Sequence, residues 1–202
     1  MSLKNRDNSP LLLETIKIKD GTIYNLDYHQ ERCDNSRMSL FNTQNSLILK
    51  EYIDPPQKGL FRCRVLYTKK SIESVSYLPY KKKEINTLKI VSTSINYPFK
   101  YADREEFNKL LATHSNYDDV IIEKHGYLTD TTIANIAFFN GSQWFTPKKP
   151  LLQGTMRAQL LKNGIIRTKD IRMEDLNQYS QVALINAMIG FKIINHFTID
   201  AY

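Results

Sequence analysis

Residues 151–157 read Leu-Leu-Gln-Gly-Thr-Met-Arg and open a predicted helix. The helix begins at Thr155 and ends near Asn163, because Gly164 is a typical stop signal just past a last turn. The first N–H groups of a helix have no partner within it, and the helix dipole is positive at that end. Such an end suits phosphate. Every helix has one, so on its own the stretch is better explained as an ordinary helix start.

Short strands are predicted on both sides of this helix. Asn140-Gly141 is a hairpin signal between strands at 133–139 and 143–145. A further strand at 119–123 is followed by a His125-Gly126 turn, a helix is predicted at 103–114, and strands at 181–185 and 191–194 come last. Many short strands around few helices predict a barrel-like second domain, residues 98–202.

The first half has its own strand and helix signals. Residues 15–26, TIKIKDGTIYNL, alternate in polarity around Asp20-Gly21, which predicts a hairpin. Asp27 with Gln30 forms a capping-box pattern and predicts a helix over 28–41. A short helix at 46–52 and strands at 61–67, 71–80 and 87–93 follow. These elements predict a small α/β domain over residues 1–97, and an α+β protein of two domains.

Two residues near these elements have side chains suited to chemistry. Lys100 follows Pro98-Phe99, and a lysine that is partly desolvated among aromatic rings becomes a nucleophilic amine. Asp130 precedes an apolar strand, where a carboxylate is an acid or base, or a loop cap. Taken singly, a solvated lysine and a capping aspartate are the more common cases.

The order of these segments along the chain favours a functional role over the common structural explanations. Lys100 is followed by Gly126, Asp130, Asn135, Thr146-Pro147 and residues 151–157. This order resembles the class IV aminotransferase family, the pyridoxal-phosphate enzymes of fold type IV, with its lysine, G-x-x-x-E-x-x-x-x-N, T-P and L-x-G-x-x-R segments. Upstream, residues 14–16 are similar to its F-E-T-I strand, Asp20-Gly21 to its hairpin and residues 29–32 to its H-x-x-R helix. Residues 185–188, Ile-Asn-Ala-Met, are similar to its late segment. The resemblance covers roughly residues 13–195.

The resemblance implies pyridoxal 5′-phosphate as cofactor and gives roles to particular residues. Lys100 would attach the cofactor and then act as the general acid and base. Asp130 would hold the pyridine nitrogen. The phosphate would be bound by Arg32, by the N–H groups of Thr155 and Met156, and by Asn186. Two further residues, Lys17 and Arg104, are predicted to contact the substrate, and no metal is expected.

Within the family, the K-x-x-x-R spacing of Lys100 and Arg104 and the late N-A-M resemble the 4-amino-4-deoxychorismate lyases. The implied reaction releases pyruvate and forms 4-aminobenzoate, which feeds folate synthesis. An alternative is a transaminase acting on branched-chain or D-amino acids, although Glu105 stands where branched-chain enzymes typically have tyrosine. A second alternative is a non-catalytic relative.

Two features depart from the family pattern. Asp130 replaces the usual glutamate and is one methylene shorter. Only about a dozen residues precede Glu14, without the glycine-rich turn that usually comes first, so the fold is expected to be N-terminally trimmed.

Composition excludes several other classes of protein. The hydrophobic fraction is 42% and the charged fraction 24%, which excludes a disordered chain, and no apolar run approaches a membrane span. The net charge is +7, yet Lys81-Lys82-Lys83 is short and basic and aromatic residues do not interleave, so no nucleic-acid partner is expected. Two cysteines and no secretory apolar segment predict a cytoplasmic protein. The family resemblance implies a homodimer acting on a small-molecule substrate.

Overall fold

A computed structural model describes residues 9–194 and 198–200. They form two compact units, one of residues 9–81 with Phe99–Asp103 and one of Lys82–Pro98 with residues 104–194 and 198–200. Relative to the predicted domains, Lys82–Pro98 therefore lies with the second unit and Phe99–Asp103 with the first. The predicted N-terminal trimming concerns a segment that includes residues 1–8, which lie outside the described residues.

The first unit is built on an antiparallel sheet. Its strands stand in the order β2-β1-β3-β4, with bounds β1 Leu12–Lys19, β2 Thr22–Ile23, β3 Leu60–Tyr67 and β4 Ile72–Pro79. The predicted hairpin is confirmed: Asp20 and Gly21 have φ of 48° and 78°, the left-handed values that a tight two-residue turn requires. Isolated bridge pairing joins Tyr101 to Leu12, so Phe99–Asp103 extends this unit along β1.

Helix α1, Leu26–Phe41, follows the hairpin and begins two residues earlier than predicted. Its N-cap is Asn25 in the left-handed conformation, so the predicted capping box of Asp27 and Gln30 is wrong. The side chain of Gln30 instead reaches the backbone of Leu47 and Leu49. The Gln30 side chain therefore binds the loop that follows the helix instead of capping the helix start. The predicted second helix is a short 3-10 turn, Leu49–Tyr52.

The second unit contains the remaining elements. Its helices are α2 Glu105–Thr113 and α3 Thr155–Lys162, and a 3-10 turn covers Met173–Gln178. Its described strands are β5 Thr87–Ser92, β6 Asp119–Lys124, β7 Tyr127–Thr131, β8 Asn135–Phe139, β9 Trp144–Pro147, β10 Ile166–Lys169, β11 Gln181–Asn186, β12 Gly190–Ile194 and β13 Thr198–Asp200. Gly164, with φ of 68°, ends α3 as predicted.

Strand β8 organises the sheet of the second unit. The strand order is β10-β9-β8-β7-β6-β5-β13, with β11 on β8 and β12 on β11. β8 pairs with β7 at Asp130 and Asn135, and with β9 at its far end through Phe138 and Phe139. Among the described residues, the paired strands do not link β10 back to β13. Strand β8 thus pairs with β7 at its beginning and with β9 at its end. Asp130 and Asn135 face each other where β7 ends.

Each unit has its own buried core. In the first, apolar side chains of β1, β3 and the loop before β3 pack together, including Leu12, Ile16 and Val65. In the second, the core is formed around β6, β8 and β11 by residues such as Ile121, Ile136 and Leu184. The α+β class is confirmed, with extensive sheets and few helices. In the part of the chain that the structure describes, no helix is both long and apolar enough to cross a membrane.

Candidate active site

Two groups of polar residues contain the predicted site, one in each unit. In the first unit, Glu14 is central. Strand alternation places Leu12, Glu14, Ile16 and Ile18 on the buried face of β1, so a carboxylate stands where an apolar residue would be expected. A fully buried carboxylate is strongly unfavourable without partners.

Helix α1 supplies those partners. Arg32 donates from Nε to Oε1 of Glu14 at 2.9 Å and from Nη2 to Oε2 at 2.5 Å. His29 Nδ1 lies 2.5 Å from the same Oε2, and its ring is fully buried. Residues 29 and 32 are neighbours on one helix face, so both reach the same carboxylate.

The pKa values of this group follow from its burial and charges. Burial by itself raises the pKa of Glu14, but the charge of Arg32 and the hydrogen bond from His29 outweigh it and bring the pKa to about 2. Burial lowers the pKa of His29, and the positive charges of Arg32 and Lys100 lower it further, against the effect of Glu14. The group is thus a carboxylate, a guanidinium and a neutral imidazole.

Lys100 lies near this group. Its carbonyl accepts a hydrogen bond of 2.9 Å from the N–H of Leu13, so its backbone is fixed to β1. Its side chain is partly exposed. The structure therefore brings the predicted Lys100 and Arg32 into one neighbourhood, with His29 affected by both charges.

Lys17 does not join them. It is an odd-numbered residue of β1, whereas Glu14 is even-numbered, so the two side chains project from opposite faces of the sheet. The Lys17 ammonium instead lies 4.9 Å from the ring centre of Tyr24.

The second group surrounds Asp130, which is only 4% exposed. Asn135 Nδ2 donates to its Oδ1 at 2.7 Å, and the N–H of Leu152 donates to its Oδ2 at 2.9 Å. Burial raises the pKa of Asp130 to about 6, although these hydrogen bonds and the charge of Arg157 act to lower it. A buried carboxylate with neutral hydrogen-bond donors and a raised pKa is well matched to a basic ring nitrogen.

Helix α3 begins next to this acid. Gly154 is its N-cap residue, and Thr155 is buried at its first position. Arg157 is buried in the first turn and donates to Thr146, Pro147 and Gln153. The guanidinium of Arg157 therefore joins the end of strand β9 to the start of helix α3. Met156 lies in the same first turn, partly buried.

Arg104 and Asn186 have structural contacts. Arg104 Nη2 donates to the carbonyl of Thr132 at 2.6 Å, and its guanidinium lies 4.7 Å from the ring centre of Phe107. Asn186 Oδ1 accepts from the N–H groups of Met188 and Ile189, and its Nδ2 donates to the carbonyl of Ile133. Both side chains thus fix the turn between β7 and β8, next to Asp130.

Sequence reasoning missed the parts played by four buried residues: Glu14, His29, Asn135 and Arg157. Each belongs to a motif in the sequence, yet its burial depends on contacts across the fold. A charged residue at an inward position of an alternating strand, as at Glu14, is the signal that was available. In residues 9–194 and 198–200, no cluster of three or more His, Cys, Asp or Glu side chains is placed to hold a metal.

The residues present fit pyridoxal 5′-phosphate. Its aldehyde needs an amine, its phosphate a cationic or N–H-rich site, and its ring nitrogen a carboxylate. Lys100, Arg32, the start of α3 and the buried Asp130 have these chemical properties. The fit rests on the low exposure of Asp130, whose carboxylate contacts neutral donors rather than a neighbouring cation.

Comparison with known proteins identifies similar chains. A family model described as amino-transferase class IV matches residues 11–197. An uncharacterized protein of Haemophilus influenzae is 35% identical over 185 residues, which are 89% of this chain and 98% of that protein. A crystal structure from Haemophilus somnus 129PT, of a protein named as a "putative 4-amino-4-deoxychorismate lyase", is 36% identical with a TM-score of 0.83, covering 90% of this chain and 97% of that one. A "putative aminodeoxychorismate lyase" of Schizosaccharomyces pombe is 40% identical over 89 residues, 41% of this chain and 38% of that protein.

Proposed function

The chain belongs to the class IV amino-transferase family, and from this we propose that it is a pyridoxal 5′-phosphate-dependent lyase converting 4-amino-4-deoxychorismate to 4-aminobenzoate and pyruvate. The observation that supports lyase over transaminase is the similarity to the Haemophilus somnus protein, 36% identical over 90% of this chain, which bears that name. The Schizosaccharomyces pombe relative has a corresponding name.

The roles of the residues follow from their chemistry. When bound, the cofactor supplies an electron sink for the substrate carbon that bears the amine. Arg32 binds the phosphate, with the N–H groups of Thr155 and Met156. Asp130 keeps a proton on the ring nitrogen, which its negative charge favours at neutral pH.

Lys100 moves the proton that the reaction needs. Its Nζ attaches the cofactor, then takes the proton from the ring carbon that bears the amine and returns a proton to the enolpyruvyl group as the C–O bond breaks. The substrate is thereby divided into 4-aminobenzoate and pyruvate, and no second substrate is consumed. Aromatisation of the ring drives the step. The product is of the kind used in folate synthesis.

The first experiment tests attachment of the cofactor. The protein is mixed with pyridoxal 5′-phosphate, reduced with borohydride and digested with trypsin. An adduct at Lys100 blocks cleavage there, so the expected peptide spans residues 90–104 with the cofactor mass added. The variant Lys81→Ala, at an exposed lysine, serves as control and should give the same peptide. Absence of the adduct from the unaltered protein would contradict catalysis and favour a non-catalytic relative.

The second experiment separates lyase from transaminase. Pyruvate release from 4-amino-4-deoxychorismate is compared with keto-acid-dependent amino transfer from branched-chain and D-amino acids. The proposal expects pyruvate without any added keto acid. Amino transfer without pyruvate release would replace the lyase with the transaminase, and in either case Lys100→Ala should abolish turnover.

We further propose that the enzyme is a cytoplasmic homodimer that works on this small molecule, with no nucleic-acid or membrane partner. Light scattering during gel filtration tests the oligomeric state, and a mass of about 47 kDa is expected, twice that of the 23.6 kDa chain. A mass equal to one chain at working concentration would contradict the dimer.

A further inference from the structure

Asn135 stands directly opposite Asp130 where β7 and β8 meet. The two residues form a register pair, and both are nearly fully buried, 6% and 4% exposed. The 2.7 Å contact from Asn135 Nδ2 to Asp130 Oδ1 is therefore made away from water, where a charge-assisted hydrogen bond is strong.

The same amide makes a second contact. Asn135 Nδ2 also donates to the carbonyl of Leu152 at 2.9 Å, while the N–H of Leu152 donates to Asp130 Oδ2 at 2.9 Å. Asp130, Asn135 and Leu152 thus form a closed ring of hydrogen bonds. Each carboxylate oxygen of Asp130 accepts at least one hydrogen bond, so both the position and the rotation of the carboxylate are fixed.

The chemistry of this ring requires an amide. Both neighbours of Nδ2 are acceptors, so the nitrogen must face them and Oδ1 must face away. An aspartate in place of Asn135 would have no hydrogens to donate and would bring a second negative charge against Asp130. A serine could donate to only one of the two acceptors.

Asn135 is also packed against the start of α3. A Cβ added at Gly154 would lie 1.9 Å from Asn135 Oδ1, a distance far too short for two non-bonded heavy atoms. Gly154 has φ of −72°, so its lack of a side chain serves this close approach rather than an unusual backbone conformation. The amide is therefore held between Asp130 on one side and the helix start on the other.

We propose that Asn135 is a positioning residue: it orients the carboxylate of Asp130 and sets its distance from the first turn of α3. The proposal rests on the proposed function, in which Asp130 binds the ring nitrogen and the first turn of α3 binds the phosphate. Those two groups of the cofactor are a fixed distance apart, so a rigid link between their binding residues favours binding and catalysis.

The electrostatics give this role a separate readout. The hydrogen bond from Asn135 lowers the pKa of Asp130, together with the N–H groups of Leu151 and Leu152 and the charge of Arg157 of α3, while burial raises it. Without the Asn135 amide, the effect of burial is less opposed, and the pKa of Asp130 should rise. Removing a residue that only filled space would admit water and lower this pKa instead of raising it.

The test compares Asn135→Ala with Asn140→Ala, a matched control at the exposed turn after β8. Carbon-13 NMR follows the titration of the Asp130 carboxyl in the cofactor-free protein, with Asp130→Asn identifying the signal. We expect the midpoint to rise by about one pH unit in Asn135→Ala and to stay unchanged in Asn140→Ala. Affinity for pyridoxal 5′-phosphate, measured by equilibrium dialysis, should fall about 10-fold.

The outcomes separate this proposal from the proposed function. A protein that forms the Lys100 adduct but shows the same Asp130 titration with and without Asn135 would overturn the positioning role and leave the lyase intact. A shifted titration in a protein that takes up no cofactor would overturn the lyase and leave the control of Asp130 by Asn135 standing. If Asn135→Ala does not fold, Asn135→Ser is titrated instead, and an intermediate upward shift is expected.

Discussion

The guanidinium of Arg32 binds both carboxylate oxygens of Glu14, with contacts of 2.9 Å and 2.5 Å. Glu14 is fully buried and the side chain of Arg32 is 12% exposed, so the ion pair lies almost entirely away from water. It joins strand β1 to helix α1. Because Arg32 is proposed to bind phosphate, Glu14 fixes the orientation of a ligand-binding side chain as well as the packing of two elements.

Glu14→Gln should strongly destabilise the first unit. The variant leaves the Arg32 charge without its buried partner, and breaking such a pair costs about 3–5 kcal/mol. Urea denaturation of the cofactor-free protein measures the loss. Glu31→Gln, on an exposed position of the same helix, is the control and should stay within about 0.5 kcal/mol of the unaltered protein. Equal midpoints for the two variants would show that the Glu14 pair contributes nothing to stability.

Acid should destabilise the protein in two steps. Burial lowers the pKa of His29 from 6.5, and the unfolded chain therefore binds more protons than the folded one below that pH. Arg32 and His29 hold the pKa of Glu14 at about 2, against 4.5 when unfolded, so stability that is present above 4.5 is lost as the pH falls toward 2. Urea midpoints measured from pH 7.5 to 3.5 should fall first below about pH 6.5 and again below about pH 4.5. Glu14→Gln should flatten the part below pH 4.5, and an unchanged decline there would assign it to other groups.

Asp130→Glu tests whether this enzyme has room for the residue that its family usually has. Asp130 is 4% exposed and both its oxygens accept hydrogen bonds, so one more methylene has to displace Asn135 or Leu152. Overpacking of this kind costs about 1–3 kcal/mol. Thermal unfolding should show the loss in the cofactor-free protein. A glutamate variant as stable as the unaltered protein would mean that the carboxylate pocket is larger than its hydrogen bonds indicate.

Asp130→Asn separates binding from chemistry. The side chain keeps its size, but it loses the charge that we propose holds a proton on the ring nitrogen. We expect pyridoxal 5′-phosphate to bind and the Lys100 adduct to form, while turnover falls by about 100-fold or more, in the range of a lost charge-stabilising contact. Steady-state pyruvate release measures this. Unchanged turnover would place the ring-nitrogen contact at another residue.

Gly154→Ala should destabilise the protein and weaken cofactor binding, because the new Cβ meets Asn135 Oδ1 at 1.9 Å. Its backbone conformation is ordinary, so the loss comes from the clash alone. The double variant Gly154→Ala/Asn135→Ala removes the Asn135 oxygen with which the new Cβ clashes. Its loss of unfolding free energy should be less than the sum of the losses in the two single variants. Strict additivity of the unfolding free energies would show that the two residues do not interact.

The two cysteines should be unreactive in the folded protein. Cys33 and Cys63 are fully buried, and burial raises the pKa of each thiol to about 12. The thiolate is the reactive form, so an aromatic disulfide reagent should detect no thiol in native protein and two after unfolding. Rapid reaction of either thiol before unfolding would contradict this burial.

Much of the architecture could be predicted because its signals are local. The Asp20-Gly21 turn, the alternation of residues 61–67 and the Gly164 stop each depend on a few neighbouring residues. Strand β7 was not predicted, since Tyr127–Thr131 is polar and is buried only through its neighbours in the sheet. The short β10 pairs in parallel with β9 across helix α3, and the short β13 pairs in parallel with β5, far away in sequence. The few residues of each strand carry no pattern that indicates such pairing.

The site was predicted to a different extent. Family resemblance pointed to Lys100, Arg32 and Asp130, and the structure places them beside partners of suitable charge and burial. The substrate role predicted for Arg104 remains a hypothesis, and its contact with Thr132 depends on a turn 28 residues away. The roles of Glu14 and Asn135 arise from pairings across the fold, which residue spacing alone does not reveal.

The strand-like segment Phe99–Asp103 has a consequence for synthesis of the chain. It completes the first unit by hydrogen bonds from Leu13 to Lys100 and from Ala102 to Leu11, yet it follows 17 residues, Lys82–Pro98, that belong to the second. During translation the first unit therefore stays incomplete while this insertion emerges, for about 1–3 s at ordinary elongation rates. A nascent chain stalled before Phe99 should expose the edge of β1 to protease. That edge should become protected only once Ala102 has left the ribosome.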